Sequence, residues 1–148
     1  MDNTLNILYA TMWGNAEMVA KKLNHLAEEQ GFKTKVAELN DISMKDLCEM
    51  KQVAIVTSTT GHGDLPTNGE EFYDELKIAD INLREMKYGV LALGDSSHKH
   101  FCGAGKKVDA RFEQLGANKI IDRLECDGGT DGSIEWSNKF LETIKKYD

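Results

Sequence analysis

The feature that most constrains this chain is a strict alternation of strand-like and helix-like segments along its whole length. Leu5–Ala10 is an apolar run that reads as a first strand, and Asn15–Glu29 follows with Val19, Leu23 and Leu26 at helical spacing. Gly31 stands just past that helix, where helix ends favour glycine. Residues 34–39 read as an edge strand with Val36 and Leu39 alternating, and residues 43–50 as a short helix capped by Ser43. Residues 53–57 and 88–93 are continuous apolar runs, the mark of strands buried on both faces. Asn68 is expected to cap a helix over 69–78, with Glu71 at the capping-box position. A helix over 103–115 ends at Gly116, residues 119–124 form a fifth strand, and residues 133–147 a last helix with Ile134, Phe140, Leu141 and Ile144 apolar. Five strands in such alternation predict an α/β fold, a doubly wound sandwich with a parallel sheet and right-handed crossovers. The expected strand order is 2-1-3-4-5, with helices on both faces and a switch point between strands one and three.

Three polar, glycine-bearing loops then follow three of the strands: residues 11–16 (TMWGNA), 58–64 (STTGHGD) and 94–102 (GDSSHKHFC). In a parallel sheet they emerge at one edge, the edge where open α/β sheets bind ligands.

A length of 148 residues suits a single domain over 1–148 with a genuine core. A net charge of −7 argues against a nucleic-acid partner and is compatible with steering towards a basic protein. No basic leader and no long apolar span stand near the first strand, so export and membrane insertion are not expected. Cys48, Cys102 and Cys126 are odd in number and include no CxxC, which favours a reduced, cytoplasmic setting. A monomer is expected.

The loops carry distinct chemistry. The first runs from a strand into a helix start and so offers backbone N–H groups to an anion. Gly14 permits the tight turn, and Thr11 and Asn15 add side-chain donors. With no lysine or arginine in it, this loop suits holding a phosphate rather than transferring one. In the second loop Gly61 and Gly63 stand beside the end of the third strand, where a glycine peptide can flip cheaply, since positive φ costs glycine little. In the third, His98, His100 and Cys102 alternate; in an extended segment they would share a face and, with His62, could hold a metal. Phe101 suits a flat organic ring instead, and Asp95 could accept hydrogen bonds from a heterocyclic N–H. Each histidine alone also reads as a solvated loop residue, as does His25 on its helix.

Taken together, ILYATMWGNAEMVAKKL, VAIVTSTTGHGDLPTN and YGVLALGDSSHKHFCGAGKKVDARFEQLGA resemble the flavin-binding segments of the flavodoxin family. The lack of a long insertion in strand five resembles the short-chain form. The pairing of TMWGN with TSTTGHGDLP is most similar to the MioC/YqcA-type flavodoxins and to the FMN domains of diflavin reductases. The resemblance implies FMN as cofactor and one-electron transfer as function, not catalysis. Thr11, Met12, Trp13, Gly14, Asn15 and Ala16 would wrap the FMN phosphate. Ser58, Thr59, Thr60, Gly61 and His62 would border one side of the isoalloxazine, the Gly61 carbonyl facing N5 after one-electron reduction. Leu93, Gly94, Asp95, His98, His100, Phe101 and Cys102 would line the other side and the pyrimidine edge. Implied partners are basic-surfaced redox proteins, such as a flavodoxin reductase and an acceptor enzyme.

Four positions depart from the family pattern. Trp13 and Ala16 stand where a hydroxyl commonly meets the phosphate, each lost contact costing about 1 kcal/mol. Thr60 and His98 stand where aromatic rings commonly stack, each worth about 0.5–1.5 kcal/mol. FMN is therefore expected to bind more loosely than in flavodoxins with both aromatics. Protonation of His62, His98 and His100 would favour the fully reduced, anionic flavin. Potentials should then rise extra steeply as pH falls from 7 to 6, and a potential-versus-pH titration unaltered by His98→Tyr would refute this. Two rivals share the fold: an NAD(P)H-dependent flavin or quinone reductase, and a module without FMN that binds a partner or metal.

Overall fold

The computed structural model describes residues 3–147. Its strands are β1 (Leu5–Ala10), β2 (Thr34–Glu38), β3 (Gln52–Thr57), β4 (Lys87–Gly94), β5 (Asn118–Lys119) and β6 (Leu124–Asp127). Its helices are α1 (Asn15–Glu29), α2 (Met44–Glu49), α3 (Thr67–Leu76), α4 (Gly103–Gln114) and α5 (Ser133–Lys145). All the strands pair in parallel in the order β2-β1-β3-β4-β5, with β6 also on β4. The predicted α/β class and strand order are those observed.

The continuous apolar runs are buried end to end in β1 and β3, because helices cover both faces. Alternate residues feed two cores. Ile7, Tyr9, Ala54, Val56, Leu91 and Leu93 pack with Val19 and Leu23 of α1 and Phe140 and Ile144 of α5. Leu8, Val53, Ile55, Tyr88 and Val90 pack on the opposite face with Leu47, Phe72 and Phe112 from α2, α3 and α4. Among the described residues no helix is long and apolar enough to cross a membrane.

Three details differ from the sequence reading. Leu39 leaves β2 for a 3-10 turn over Leu39–Asp41, which sinks its side chain fully into the core. Helix α3 starts at Thr67, one residue before the expected cap, with Pro66 at the boundary. Asn68 is spent elsewhere: its Oδ1 accepts from Thr11 N at 3.0 Å, and its Nδ2 donates to Glu38 Oε1 at 3.2 Å. Ile134 faces outward at half exposure, and Trp136 takes its place in the core.

The largest difference is the fifth strand, which is broken in two. Lys119 pairs with Tyr88 and Leu124 with Leu91, so residues 120–123 stand opposite Gly89 and Val90 alone. This is an enlarged β-bulge. Gly89 makes it possible: a Cβ there would lie 2.8 Å from Ile121 Cγ2 and 2.9 Å from the Trp136 ring. Ile121 therefore fills the room a side chain would take. The Asp122 carbonyl accepts from Trp136 Nε1 at 3.0 Å, and Arg123 Nη1 reaches the buried Asp109 carboxylate at 2.5 Å. Asp109 also accepts from the Tyr88 hydroxyl at 2.6 Å; burial, then that contact, pushes the Tyr88 phenol above its ordinary range.

Candidate functional site

The loops that follow β1, β3 and β4 converge at one edge of the sheet, and direct contacts tie them together. Ser58 N donates to the Ala10 carbonyl at 2.9 Å, and Ala104 N to Thr59 Oγ1 at 3.3 Å. A Cβ on Gly103 would lie 2.7 Å from Gly63 Cα, so the second loop meets the start of α4, directly behind the third loop, backbone to backbone.

The first loop is wrapped around the Thr11 side chain. Thr11 Oγ1 accepts from Gly14 N at 2.9 Å and from Ala16 N at 3.3 Å. That folds residues 11–16 around its side chain. Gly14, the N-cap of α1, sits at φ 97, a left-handed conformation that L side chains resist. The N–H groups of Met12, Trp13, Asn15 and Glu17 find no protein acceptor among the described residues. Four such donors at the positive end of a 15-residue helix suit a phosphate. Met12 and Trp13 are exposed, Trp13 to 87%. Ala16 is fully buried, so it can offer a ligand only its backbone.

In the second loop a turn closes on itself. Gly63 N donates to the Thr60 carbonyl, and Thr60 N to the Asp64 carbonyl, both at 2.9 Å. Thr60 Oγ1 adds a bond to the same Asp64 carbonyl at 3.1 Å. The Asp64 carboxylate bonds Lys107 Nζ of α4 at 2.7 Å, a contact that lowers its pKa. Gly61 lies at the crest of this turn with nothing within 4 Å of its side-chain position. Of the two glycines, Gly63 adopts positive φ. Ser58, Thr59 and Thr60 are half-buried, and His62 is exposed.

The third loop is a chain of turns, not an extended segment. His98 N donates to the Asp95 carbonyl at 3.0 Å and Gly103 N to the His100 carbonyl at 2.9 Å. The extended geometry in which His98, His100 and Cys102 would share a face is therefore absent. Cys102 adopts φ 53 and turns its thiol inward, fully buried, towards the Ala92 and Cys126 carbonyls. Desolvation pushes that thiol up to about 12, so it is an inert interior group. Among the described residues no cluster of three His, Cys, Asp or Glu is arranged to hold a metal. His98 and His100 are exposed, and Phe101 is half-buried with Lys106 Nζ 5.5 Å from its ring centre. Leu93 points into the core, leaving its backbone and that of Gly94 at the edge. Asp95 Oδ1 accepts from Ser97 N at 2.9 Å and Ser97 Oγ at 2.7 Å, which lowers its pKa and leaves Oδ2 for a further donor.

A fourth loop, after β6, was missed from the sequence. Asp127 accepts from Ser96 N at 2.8 Å and Ser96 Oγ at 2.6 Å, and Gly128 N donates to the Gly94 carbonyl at 2.7 Å. The two Ser96 contacts hold the Asp127 carboxyl below its usual range. Its grip is complete at neutral pH and fades as pH falls through that lowered value. The sequence signal was DGG directly behind a strand, hidden by ending the fifth strand at Leu124 instead of Asp127.

A family model described as flavodoxin matches residues 7–138. The sulfite reductase [NADPH] flavoprotein alpha-component of Vibrio vulnificus (strain CMCP6) is 36% identical over 143 residues, covering 95% of this chain and 23% of that protein. NADPH oxidoreductase A of Dictyostelium discoideum is 38% identical over 142 residues, 93% of this chain and 22% of that one. The chain thus spans less than a quarter of the length of these curated relatives. Among solved structures, a Streptococcus pneumonia flavodoxin superposes with a TM-score of 0.86 at 29% identity, covering 98% of this chain and 99% of that one. A short-chain flavodoxin associated with a non-canonical PDU bacterial microcompartment gives a TM-score of 0.86 at 27% identity, covering 99% of each chain.

Proposed function

Because the chain belongs to the flavodoxin family, we propose that it binds FMN as a single domain over 1–148 and relays electrons between redox proteins. The observation that carries the reading is the first loop, whose four unpartnered N–H groups and left-handed Gly14 match the demands of a phosphate. The bound flavin would supply the one-electron redox chemistry.

This chain's residues supply position and electrostatics. Thr11 Oγ1 already accepts two backbone N–H bonds, so its own proton is left to donate to the phosphate. The Asn15 amide and the N–H groups of Met12 and Trp13 complete that contact. Ser58, Thr59 and Thr60 border one side of the ring, with Thr59 held by Ala104 N. No backbone hydrogen bond among the described residues holds the Gly61 carbonyl or the His62 N–H, so that peptide is free to present either one to the ring edge. Asp95 Oδ2 faces no competing serine donor and is assigned to a ring N–H. His98, His100 and Phe101 form the outer side. The buried Leu93, Ala16 and Cys102 side chains act through their backbones alone.

The net charge of −7 favours basic-surfaced partners, a reductase on one side and an acceptor on the other, with the chain itself not an enzyme. A visible spectrum of the purified protein, then titration of the apoprotein with FMN, tests the reading. Flavin absorption bands and saturable, stoichiometric quenching of flavin fluorescence are expected. A colourless protein indifferent to FMN would refute it, and bleaching of the bound flavin by NADPH alone would favour the reductase.

A further inference from the structure

The register of β4 against its outer neighbours carries information beyond the strand order. Tyr88 lies opposite Lys119; were the pairing to continue residue by residue, Gly94 would meet Glu125. The bulge at 120–123 consumes two extra residues, and Gly94 meets Asp127 instead. Bulges beside binding sites characteristically re-aim a side chain in this way. Glu125 is left to pair with Arg123 at 2.9 Å.

What arrives at Gly94 grips the third loop. Both Asp127 oxygens hold Ser96, Gly128 N holds the Gly94 carbonyl, and the Cys126 carbonyl receives the Cys102 thiol at 3.8 Å. Three consecutive residues thus fasten both ends of the 94–102 loop. On its other flank the loop rests on Gly63, where His100 Cβ lies 2.7 Å from the site a side chain would occupy. Its crest, residues 97–101, otherwise bends on its own local bonds through Asp95 and His100.

We propose that Asp127 is a positioning residue for the flavin, brought to the ligand edge by the bulge to hold the 94–102 loop in its binding shape through Ser96. The inference rests on the FMN reading above. Its competitor is a bare negative charge near the cofactor, and the two make opposite forecasts.

Three variants decide between them: Asp127→Ala, Asp127→Asn and Ser96→Ala. Each is read by the FMN dissociation constant, the midpoint potential of the bound flavin and the melting temperature of the apoprotein. Asparagine keeps an oxygen for Ser96 N and an N–H for Ser96 Oγ, so its FMN affinity should stay within about two-fold of the parent. Alanine removes both bonds to a charged acceptor and should weaken FMN about ten-fold. Ser96→Ala keeps the charge and loses one bond, and should weaken FMN about three-fold. If charge alone mattered, Asp127→Ala and Asp127→Asn would behave alike, tightening FMN and raising its potential, while Ser96→Ala would do nothing. That pattern overturns the proposal. If Asp127→Ala does not fold, Ser96→Ala binding more weakly than Asp127→Asn supports it and the reverse order overturns it. A parent protein that binds no FMN overturns the cofactor reading and this inference together. A parent that binds normally, with all three variants equal to it, overturns this inference alone.

Discussion

Replacing Gly103 with valine is expected to weaken FMN binding about ten- to hundred-fold, the effect of 1–3 kcal/mol of overpacking. Gly103 opens α4, and a Cβ there would lie 2.7 Å from Gly63 Cα and 2.8 Å from the Gly63 carbonyl oxygen. Both are backbone atoms, so neither can swing aside as a side-chain tip could. Gly63 is itself fixed at φ 78 under His100 and by its bond to Thr60. The strain therefore drives the second and third loops apart, and those loops are assigned to opposite sides of the ring. Gly103→Ala should act in the same direction and less strongly. FMN titration alongside far-ultraviolet circular dichroism makes the check: native secondary structure with weakened binding is expected, and unaltered affinity in the valine variant would refute it.

The largest loss of stability is expected from Asp109→Ala. Asp109 is buried on α4 and takes the Tyr88 hydroxyl at 2.6 Å, Arg123 Nη1 at 2.5 Å and Lys119 Nζ at 3.5 Å. Alanine leaves the Arg123 guanidinium with Glu125 and the buried Tyr88 hydroxyl with only the Asp109 carbonyl at 3.2 Å. Breaking a buried pair by deleting one member costs about 3–5 kcal/mol, and the partial exposure of Arg123 favours the lower end. For a chain of this size a loss of about 3 kcal/mol lowers the melting temperature by roughly 6–12 °C. Asp109→Asn, which still serves Tyr88, should fall between alanine and the parent. Calorimetric or denaturant unfolding decides it; an alanine variant within 1 °C of the parent would show that the network contributes little.

The particular residues explain what the sequence could disclose. β1 and α1 were legible to the residue because periodicity, Gly14 and Gly31 agree locally, with no distant partner required. The three loops were legible because each stands directly behind an unmistakable buried strand. The fifth strand was not, since KIIDRLECD offers apolar residues at every plausible register. Its break depends on Gly89 lacking a side chain and on Trp136 claiming the Asp122 carbonyl, contacts made across the fold. With that break went Asp127 and its hold on Ser96. Asn68 failed as a predicted cap for a similar reason: Thr11, 57 residues away, competes for its amide. The alternation of His98, His100 and Cys102 presupposed an extended backbone that the Asp95 and His100 turns do not provide.

Trp13 and Trp136 divide the molecule between two optical environments. Trp13 stands in the 11–16 loop at 87% exposure, while Trp136 is 7% exposed, stacked on Phe140 at 5.1 Å and bonded to the bulge. An exposed indole already emits as it would in an unfolded chain, so denaturation recorded by tryptophan emission reports Trp136. Read on the apoprotein, Trp13→Phe isolates the signal of the strand break, and under the proposed function Trp136→Phe isolates the effect of FMN beside Trp13.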